Sequence, residues 1–370
     1  MLIDSLQLRG VRNLSATKMF FHPQVNLFCG PNGSGKTSLL ESIHFLSLGR
    51  SHRTSLQNTV IKTTEQFAAI FAAYQNVAKT KKITIKTIKH REQERKAYLG
   101  GGISTKPEIA GLLPVQIIND ESSKIIFKEP ETRRKFIDWI VFYANKKYQT
   151  LWKEFNRALQ QRNFLLKQPK QANKNAILQQ LDQVFVDLAL QLQEARSRVW
   201  QDFLISLENS FTCLQLNLPE NPTITLFPGW SGDLSQNLLN NRDLDIKTRT
   251  THCGPHRADL QIKLQGQQAK HLLSRGQGKS LAIAMIFARA LFVEKLCCEG
   301  DNSSIMMIDD LGAELDQNNF FRIVQGLKQL KGRIQVFITG TDKQQLLGHF
   351  EGEEYKMFSV NAGRIEPCST

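Results

Sequence analysis

The chain has 370 residues, 41% of them apolar, and its 48 Lys and Arg against 34 Asp and Glu leave a net charge of +14. That length allows roughly two globular domains with a buried core, and so basic a field attracts polyanions, whether nucleic acid or an anionic membrane surface. The longest apolar run, Leu281 to Val293, is broken by Arg289 and falls short of the roughly 20 residues a span requires; the opening MLIDSLQLRG has no signal-peptide pattern, so a cytoplasmic chain without a membrane partner is expected. The six cysteines (29, 213, 253, 297, 298 and 368) show neither a C-x-x-C pair nor metal spacing with histidine, which points to free thiols.

A first strand is expected at Ile3 to Leu8 and a second at Val25 to Cys29. The second leads into Gly30-Pro31-Asn32-Gly33-Ser34-Gly35-Lys36-Thr37, which fits G-x-x-x-x-G-K-[ST], with a helix from Thr37 to Leu48 after it. Glycines in such a loop take backbone conformations that turn successive N–H groups into one concavity, and the helix N-terminus adds partial positive charge. In this motif Lys36 reaches the β- and γ-phosphates and Thr37 offers its hydroxyl to Mg²⁺, so the expected ligand is a nucleoside triphosphate with magnesium.

Further strands are predicted at Phe67 to Ala73, Ile83 to Ile88 and Val115 to Ile118. Alternation at Ile83 to Ile88 suggests a hairpin strand with Lys82, Thr84 and Lys86 outward, either a solvated edge or a phosphate-contacting surface. From Glu131 the periodicity becomes helical, is interrupted by the polar stretch Lys167 to Lys174, and resumes, which predicts an antiparallel helical hairpin. Leu181, Val184, Phe185, Leu188 and Leu192 form its expected buried stripe, without heptads sustained for an extended coiled coil. Lys124 to Lys167 holds eleven basic residues against four acidic ones. Lys146, Lys147 and Lys153 there are candidates for DNA phosphate contacts, or simply a solvated helix face.

Strand character returns at Asp259 to Leu264, then a helix from Gln277 to about Cys298, a strand Ile305 to Asp309, a helix Gln317 to Leu330 and a strand Gln335 to Thr339. A parallel sheet needs crossovers, so the phosphate helix and the final strands belong to one sheet, interrupted by a large helical insertion. Lobe I is therefore expected at 1–119 and 303–370, and lobe II, with the hairpin, at 120–302. The apolar run Ile305 to Ile308 ends in Asp309 and Asp310, at the carboxyl edge where such a fold places its ligand. Asp309 there can share the Mg²⁺ shell with Thr37, and Asp310 can orient or deprotonate the attacking water. Leu273-Ser274-Arg275-Gly276-Gln277, just before the long helix, reads either as a second anion site or as an N-cap serine with a glycine turn.

That pentapeptide, with an acidic strand end about 35 residues on, resembles the signature of ABC-type and SMC-like ATPases. In those families the signature grips the γ-phosphate bound to a partner subunit, so ATP joins two protomers in an isologous dimer. Arg275 at the usual glycine, Asp310 at the usual glutamate and the absence of a switch histidine after QVFITGTD separate the chain from transporters. Together with LQLRGVRNL, LGRSHR, RRKFIDW and GPHR, these features resemble the RecF family of bacterial recombination mediators over nearly the whole length.

The resemblance implies an α/β fold, an ABC-type P-loop ATPase head with an inserted, mainly α-helical second lobe. It implies a slow Mg²⁺-dependent ATPase whose ATP-dependent homodimer binds duplex and gapped or single-stranded DNA and helps load recombinase, together with RecR and RecO. By residue it implies Gly30 to Gly35 and Lys36 on the phosphates, and Thr37 and Asp309 on Mg²⁺. Asp310 would act on water, Ser274, Gly276 and Gln277 on the partner's nucleotide, and Arg12 with Asn13 as the N-terminal nucleotide-contacting turn. Asp316 would lie at the dimer interface. For GPHR, a tight turn with His256 and Arg257 packing the lobes together is the expectation. The competing readings are a transporter's nucleotide-binding subunit, a scaffold that holds ATP without turnover, and an ATP-gated nuclease, although no second carboxylate cluster supports the last.

Overall fold

Apolar runs from both ends of the chain build one sheet. The computed structural model describes residues 2–75, 82–168, 174–216, 218, 220–297, 304–310, 317–329, 334–350 and 352–368. In it the strands run in the order Arg364–Pro367, Tyr355–Asn361, Val25–Cys29, Ile334–Gly340, Ser304–Ile308 and Val115–Ile118. All neighbours are parallel except the hairpin at the chain's end. Ser304–Ile308 and Ile334–Gly340 are buried along their whole length, as parallel strands covered on both faces must be. Phe28 stacks on Phe358 at 4.9 Å between ring centroids, and Phe21 meets Phe337 edge-on at 5.0 Å.

A second sheet is antiparallel, in the order Thr17–Phe20, Leu2–Arg9, Phe67–Gln75, Lys82–His90, Lys96–Leu99 and Gly102–Ile103. Lys82–His90 is thus an internal strand and not a solvated edge. Lys82 and Lys86 are exposed while Ile85, Thr87 and Lys89 are buried. The helix Lys36–Leu48 packs against strands of both sheets, and eleven of its 13 residues are buried. A helix enclosed in this way has no polar face, so each of its polar side chains must find a partner inside the protein.

The chain forms two compact units: Met1–Ser122, Asn209–Gln215 and Ile283–Thr370 in the first, Ser123–Glu208 and Leu216–Ala282 in the second. The later boundary falls inside the helix Arg275–Cys297, where the sequence predicts it at 302/303. The reason is packing. Ile283 to Ala288 is buried at every position, and Arg289 Nε donates to Gln116 Oε1 at 3.2 Å, so this half of the helix belongs with the sheets.

The second unit contains the helices Pro130–Ala144 and Tyr148–Lys167 and most of Lys174–Leu214, with a three-stranded sheet of Gln267–Gln268, Asp259–Leu264 and Thr223–Phe227. The long helix buries Leu178, Asp182, Phe185, Ala189, Leu192, Arg196, Val199 and Phe203. These positions alternate in steps of four and three, the spacing of a coiled-coil seam. Charged residues at 182 and 196 hide it from a hydrophobicity count, and Val184, expected in the stripe, is 53% exposed.

Both buried charges are answered. Arg162, fully buried, donates to Asp182 Oδ1 at 2.7 Å, Asp245 Oδ2 at 2.7 Å and Thr251 Oγ1 at 2.9 Å. Arg196 reaches Asp138 at 2.7 Å and the carbonyl of Pro255 at 2.8 Å. The GPHR segment folds onto this network: His256 Nε2 is 2.9 Å from the Thr251 carbonyl, which Arg257 also contacts, and its ring lies 6.3 Å from Phe155 and Phe185. These bonds of His256 and Arg257 close within the second unit.

Burial lowers the His256 pKa to about 4; the Thr251 hydrogen bond opposes this shift and nearby Arg257, Arg134 and Arg162 reinforce it. An unfolded imidazole protonates near 6.5, so between pH 6.5 and about 4 the unfolded state binds more protons and stability falls as pH falls. Urea unfolding of His256→Gln should show this slope reduced relative to the parent, by up to about 3 kcal/mol across the window. Identical slopes would show that His256 titrates freely in the folded chain.

Candidate nucleotide site

The register of the parallel sheet decides what meets at its carboxyl edge. Cys29 pairs with Gly340 and Ser359, and Ile308 pairs with Ile338 and Ile118, so the phosphate loop and Asp309 emerge on either side of Thr339. The loop is tightly enclosed at its start, since a Cβ on Gly30 would lie 1.9 Å from the Val360 carbonyl oxygen. At its end Gly35 has φ 116° and would press a Cβ to 2.6 Å from Leu14, which leaves glycine as the residue that fits. Lys36, 5% exposed, donates from Nζ to the carbonyls of Gly30 at 2.7 Å and Pro31 at 3.0 Å. An ammonium has three N–H donors, so one remains for a phosphate oxygen.

Asn13 braces the loop from outside. Its Nδ2 donates to the Gly33 carbonyl at 3.1 Å, and its Oδ1 accepts from Ser38 Oγ at 3.0 Å. The backbone N–H of Gly363 donates to the Ser34 carbonyl at 2.8 Å, while the Ser34 hydroxyl is buried without a partner among the described residues. Arg12, at φ 46°, holds Glu41 through two bonds of 2.7 and 2.6 Å. Ser51 Oγ donates to the same carboxylate and accepts from the backbone N–H of Arg53 at 2.9 Å. Burial alone would raise the Glu41 pKa, but the hydrogen bonds from Arg12 and Ser51 outweigh it and hold the carboxyl below its usual range.

Asp309 Oδ1 accepts from Thr37 Oγ1 at 3.1 Å and from Thr339 Oγ1 at 2.8 Å. Asp310, at φ 47°, donates its backbone N–H to Thr339 Oγ1 at 2.8 Å, and its Oδ1 is buried without a partner among the described residues. A cleft of about 750 Å³ is lined by Arg12, Asn13, Asn32, Gly33, Gly35, Lys36, Thr37 and Asp310, joined by Arg53 and by Thr59 to Thr63 apart from Val60. Its size suits a nucleotide. Among the described residues no group of three or more His, Cys, Asp or Glu forms a self-contained metal site. A cation here would therefore rest on Thr37 and Asp309 and take its other ligands from phosphate and water, as Mg²⁺ does.

The remaining candidates are not gathered in this cleft. Ser274 and Gly276 are exposed at the start of the 23-residue helix Arg275–Cys297, in the second unit. Ser274 N donates to Gln277 Oε1 at 3.0 Å and Gln277 N donates to Ser274 Oγ at 3.2 Å, a capping box. The N-cap reading of this pentapeptide is therefore realised, and the Gln277 side chain is engaged in it. Lys146 and Lys147 are exposed in the turn before Tyr148–Lys167 and line a groove of about 860 Å³ with Arg198; Lys153 is exposed on the same helix. Lys82 lies 3.7 Å from Asp4, and Lys86 sits over the Tyr98 ring at 5.9 Å, both in the first unit. Asp316 lies outside the described residues.

Residues 2–366 match the model of the RecF/RecN/SMC N-terminal domain. The chain is 34% identical over 371 residues to the DNA replication and repair protein RecF of Acinetobacter baylyi, covering 99% of both. The chain belongs to the RecF family. A solved structure of the recombination mediator protein RecF with ATP, in the RecFOR pathway, superposes with a TM-score of 0.83 at 25% identity, covering 100% of this chain and 98% of that one. An Smc head bound to the C-terminal winged-helix domain of ScpA superposes at 0.57 and 16% identity over 100% and 98% of the two chains, which shows the shared head fold. No described helix is long and apolar enough to cross a membrane.

Several residues of this RecF-family site carry no motif of their own. Glu41 is the single acid of the helix Lys36–Leu48, and that placement is the one signal that marks it. Thr339 is the penultimate residue of the strand Ile334–Gly340, and Arg53 stands in the LGRSHR segment without a spacing that assigns it a role. Glu41→Gln would loosen both Arg12 and the Ser51 turn, and should weaken binding of a non-hydrolysable ATP analogue about tenfold, near 1.4 kcal/mol, by titration calorimetry. Unchanged affinity would show that Glu41 packs the helix and does not shape the cleft.

Proposed function

We propose that the chain is an ATP-dependent, DNA-binding recombination mediator. It dimerises on ATP and helps load recombinase at single-strand gaps, acting with RecR and RecO, and slow Mg²⁺-dependent hydrolysis releases it. The observation that carries the ATP half is the convergence of Lys36, Thr37 and Asp310 on one cleft, with Asp309 bonded to Thr37 beside it, in a chain that matches RecF over its full length. The same full-length match disfavours a transporter subunit.

Lys36 and the N–H groups of Gly33 to Lys36 hold the triphosphate, and Asn13 keeps the loop open by holding the Gly33 carbonyl. Magnesium would draw charge from the phosphate oxygens. Thr37 and Asp309 would hold it, with Thr339 orienting the Asp309 carboxylate. Asp310 is left to accept a proton from water, since its own N–H is spent on Thr339 and its Oδ1 has no partner among the described residues. On a second copy, the exposed Ser274 and Gly276 at a helix N-terminus present a hydroxyl and N–H groups to the γ-phosphate. Signature contacts made only with ATP and worth about 3 kcal/mol would shift the monomer–dimer equilibrium on the order of a hundredfold. Paired basic surfaces then add their phosphate contacts, which makes DNA affinity depend on nucleotide.

Light scattering with ATP should show a dimer for the parent and a monomer for Lys36→Met, which lacks the charge that grips the phosphates; an undiminished dimer would refute the nucleotide assignment. Ser274→Arg should bind ATP yet remain monomeric. Loss of ATP binding by a folded Ser274→Arg would mean that the signature acts within its own chain. Reversing Lys146, Lys147 and Lys153 together to Glu should weaken duplex binding and flatten the salt slope by up to about 3. An unchanged slope would move the DNA surface to Lys82 and Lys86.

A further inference from the structure

Beside the nucleotide cleft lies a polar chamber of about 350 Å³, lined by Thr37, Asp309 and Asp310 together with His52, Arg53 and Asn119. Thr37, Arg53 and Asp310 line both spaces, so the chamber opens on the end of the cleft where the γ-phosphate would sit. Two groups on its wall lack partners among the described residues: Asp310 Oδ1 and both ring nitrogens of His52, all shielded from solvent. A buried polar atom left without a hydrogen bond is destabilising, so two such groups around one cavity point to a guest that satisfies both.

His52 is held in place. Its ring meets His44 edge-on at 5.2 Å and 71°, and His44 Nδ1 lies 2.8 Å from the Arg50 carbonyl. The flanking Ser51 and Arg53 are locked through the Ser51 hydroxyl onto Glu41, the carboxylate that also holds Arg12 in the nucleotide cleft. Burial lowers the basicity of His52, while Glu41 and Asp309 oppose the shift. The neutral ring carries one N–H and one lone-pair nitrogen.

We infer that His52 is a catalytic residue of ATP hydrolysis, holding the attacking water together with Asp310. The inference rests on the ATPase reading above. Asp310 Oδ1 accepts one O–H of the water and the lone-pair nitrogen of His52 accepts the other, which leaves the oxygen lone pair facing the γ-phosphorus. As the new O–P bond forms, the bond from the γ-phosphorus to the β,γ-bridging oxygen breaks and its electron pair leaves with ADP. The proton of the attacking O–H passes to Asp310 and then to the released phosphate.

The test uses the full chain and the variants His52→Ala, His52→Phe and His52→Gln, with three readings: ATP turnover, affinity for a fluorescent ATP analogue, and thermal midpoint. His52→Ala and His52→Phe should bind the analogue within about twofold of the parent and lose turnover about tenfold or more. His52→Gln, whose carbonyl oxygen can accept a hydrogen bond, should recover part of the rate. His52→Phe fills the same space against His44, so it reads the chemistry even if the alanine variant unfolds. Parental turnover in His52→Phe would overturn this inference alone. Loss of analogue affinity in step with turnover would overturn it too, by showing that His52 shapes binding. A parent chain that binds ATP and never hydrolyses it would remove the ATPase reading and this inference together.

Discussion

The carboxylate of Asp309 joins the two ends of the chain. It accepts hydrogen bonds from Thr37, 272 residues earlier, and from Thr339, 30 residues later. The contact with Thr339 needs Ser304–Ile308 and Ile334–Gly340 in register, and the contact with Thr37 needs Val25–Cys29 beside them as well. Long-range parallel pairing of this kind is stabilised by burial, and the wholly enclosed strands and the stacked Phe28 and Phe358 supply it. The enclosed helix Lys36–Leu48 then forces its polar residues to serve as links. Glu41 takes Arg12 and Ser51, Ser38 takes Asn13, and Thr37 takes Asp309, so the helix after the phosphate loop is tied to the segments around residues 12, 51 and 309.

The second unit is organised by a different device. Arg162 is buried with Asp182 and Asp245, and the buried Arg196 meets the half-buried Asp138; a fully buried pair contributes little net stability while the loss of one partner costs about 3–5 kcal/mol. The bonds fix position instead: they set where Thr251 and Pro255 lie, and through them the turn at His256.

Much of the site is legible in the sequence because its chemistry requires contiguous residues. Gly30 to Thr37 form one loop, and Asp309 and Asp310 follow one apolar strand, so their spacing announces them. What hides is whatever depends on tertiary contact. Glu41 and Thr339 act through partners far away in sequence. The seam of the long helix contains Asp182 and Arg196, which a hydrophobic pattern rejects, and it excludes Val184, which the pattern accepts. The boundary inside Arg275–Cys297 is invisible because an uninterrupted helix carries no linker signal. Ser274 and Gln277 realise the N-cap reading of their motif, and the cap they form orders the start of the helix.

Nucleotide-gated DNA binding is the claim on which the proposed function stands. Fluorescence anisotropy on a gapped duplex at fixed salt, with and without ATP and magnesium, addresses it most directly. A clear gain in affinity with ATP is expected, because the phosphate cleft would then be bringing two basic surfaces together. Equal affinity in both states would contradict it, and would leave the net charge of +14 acting alone.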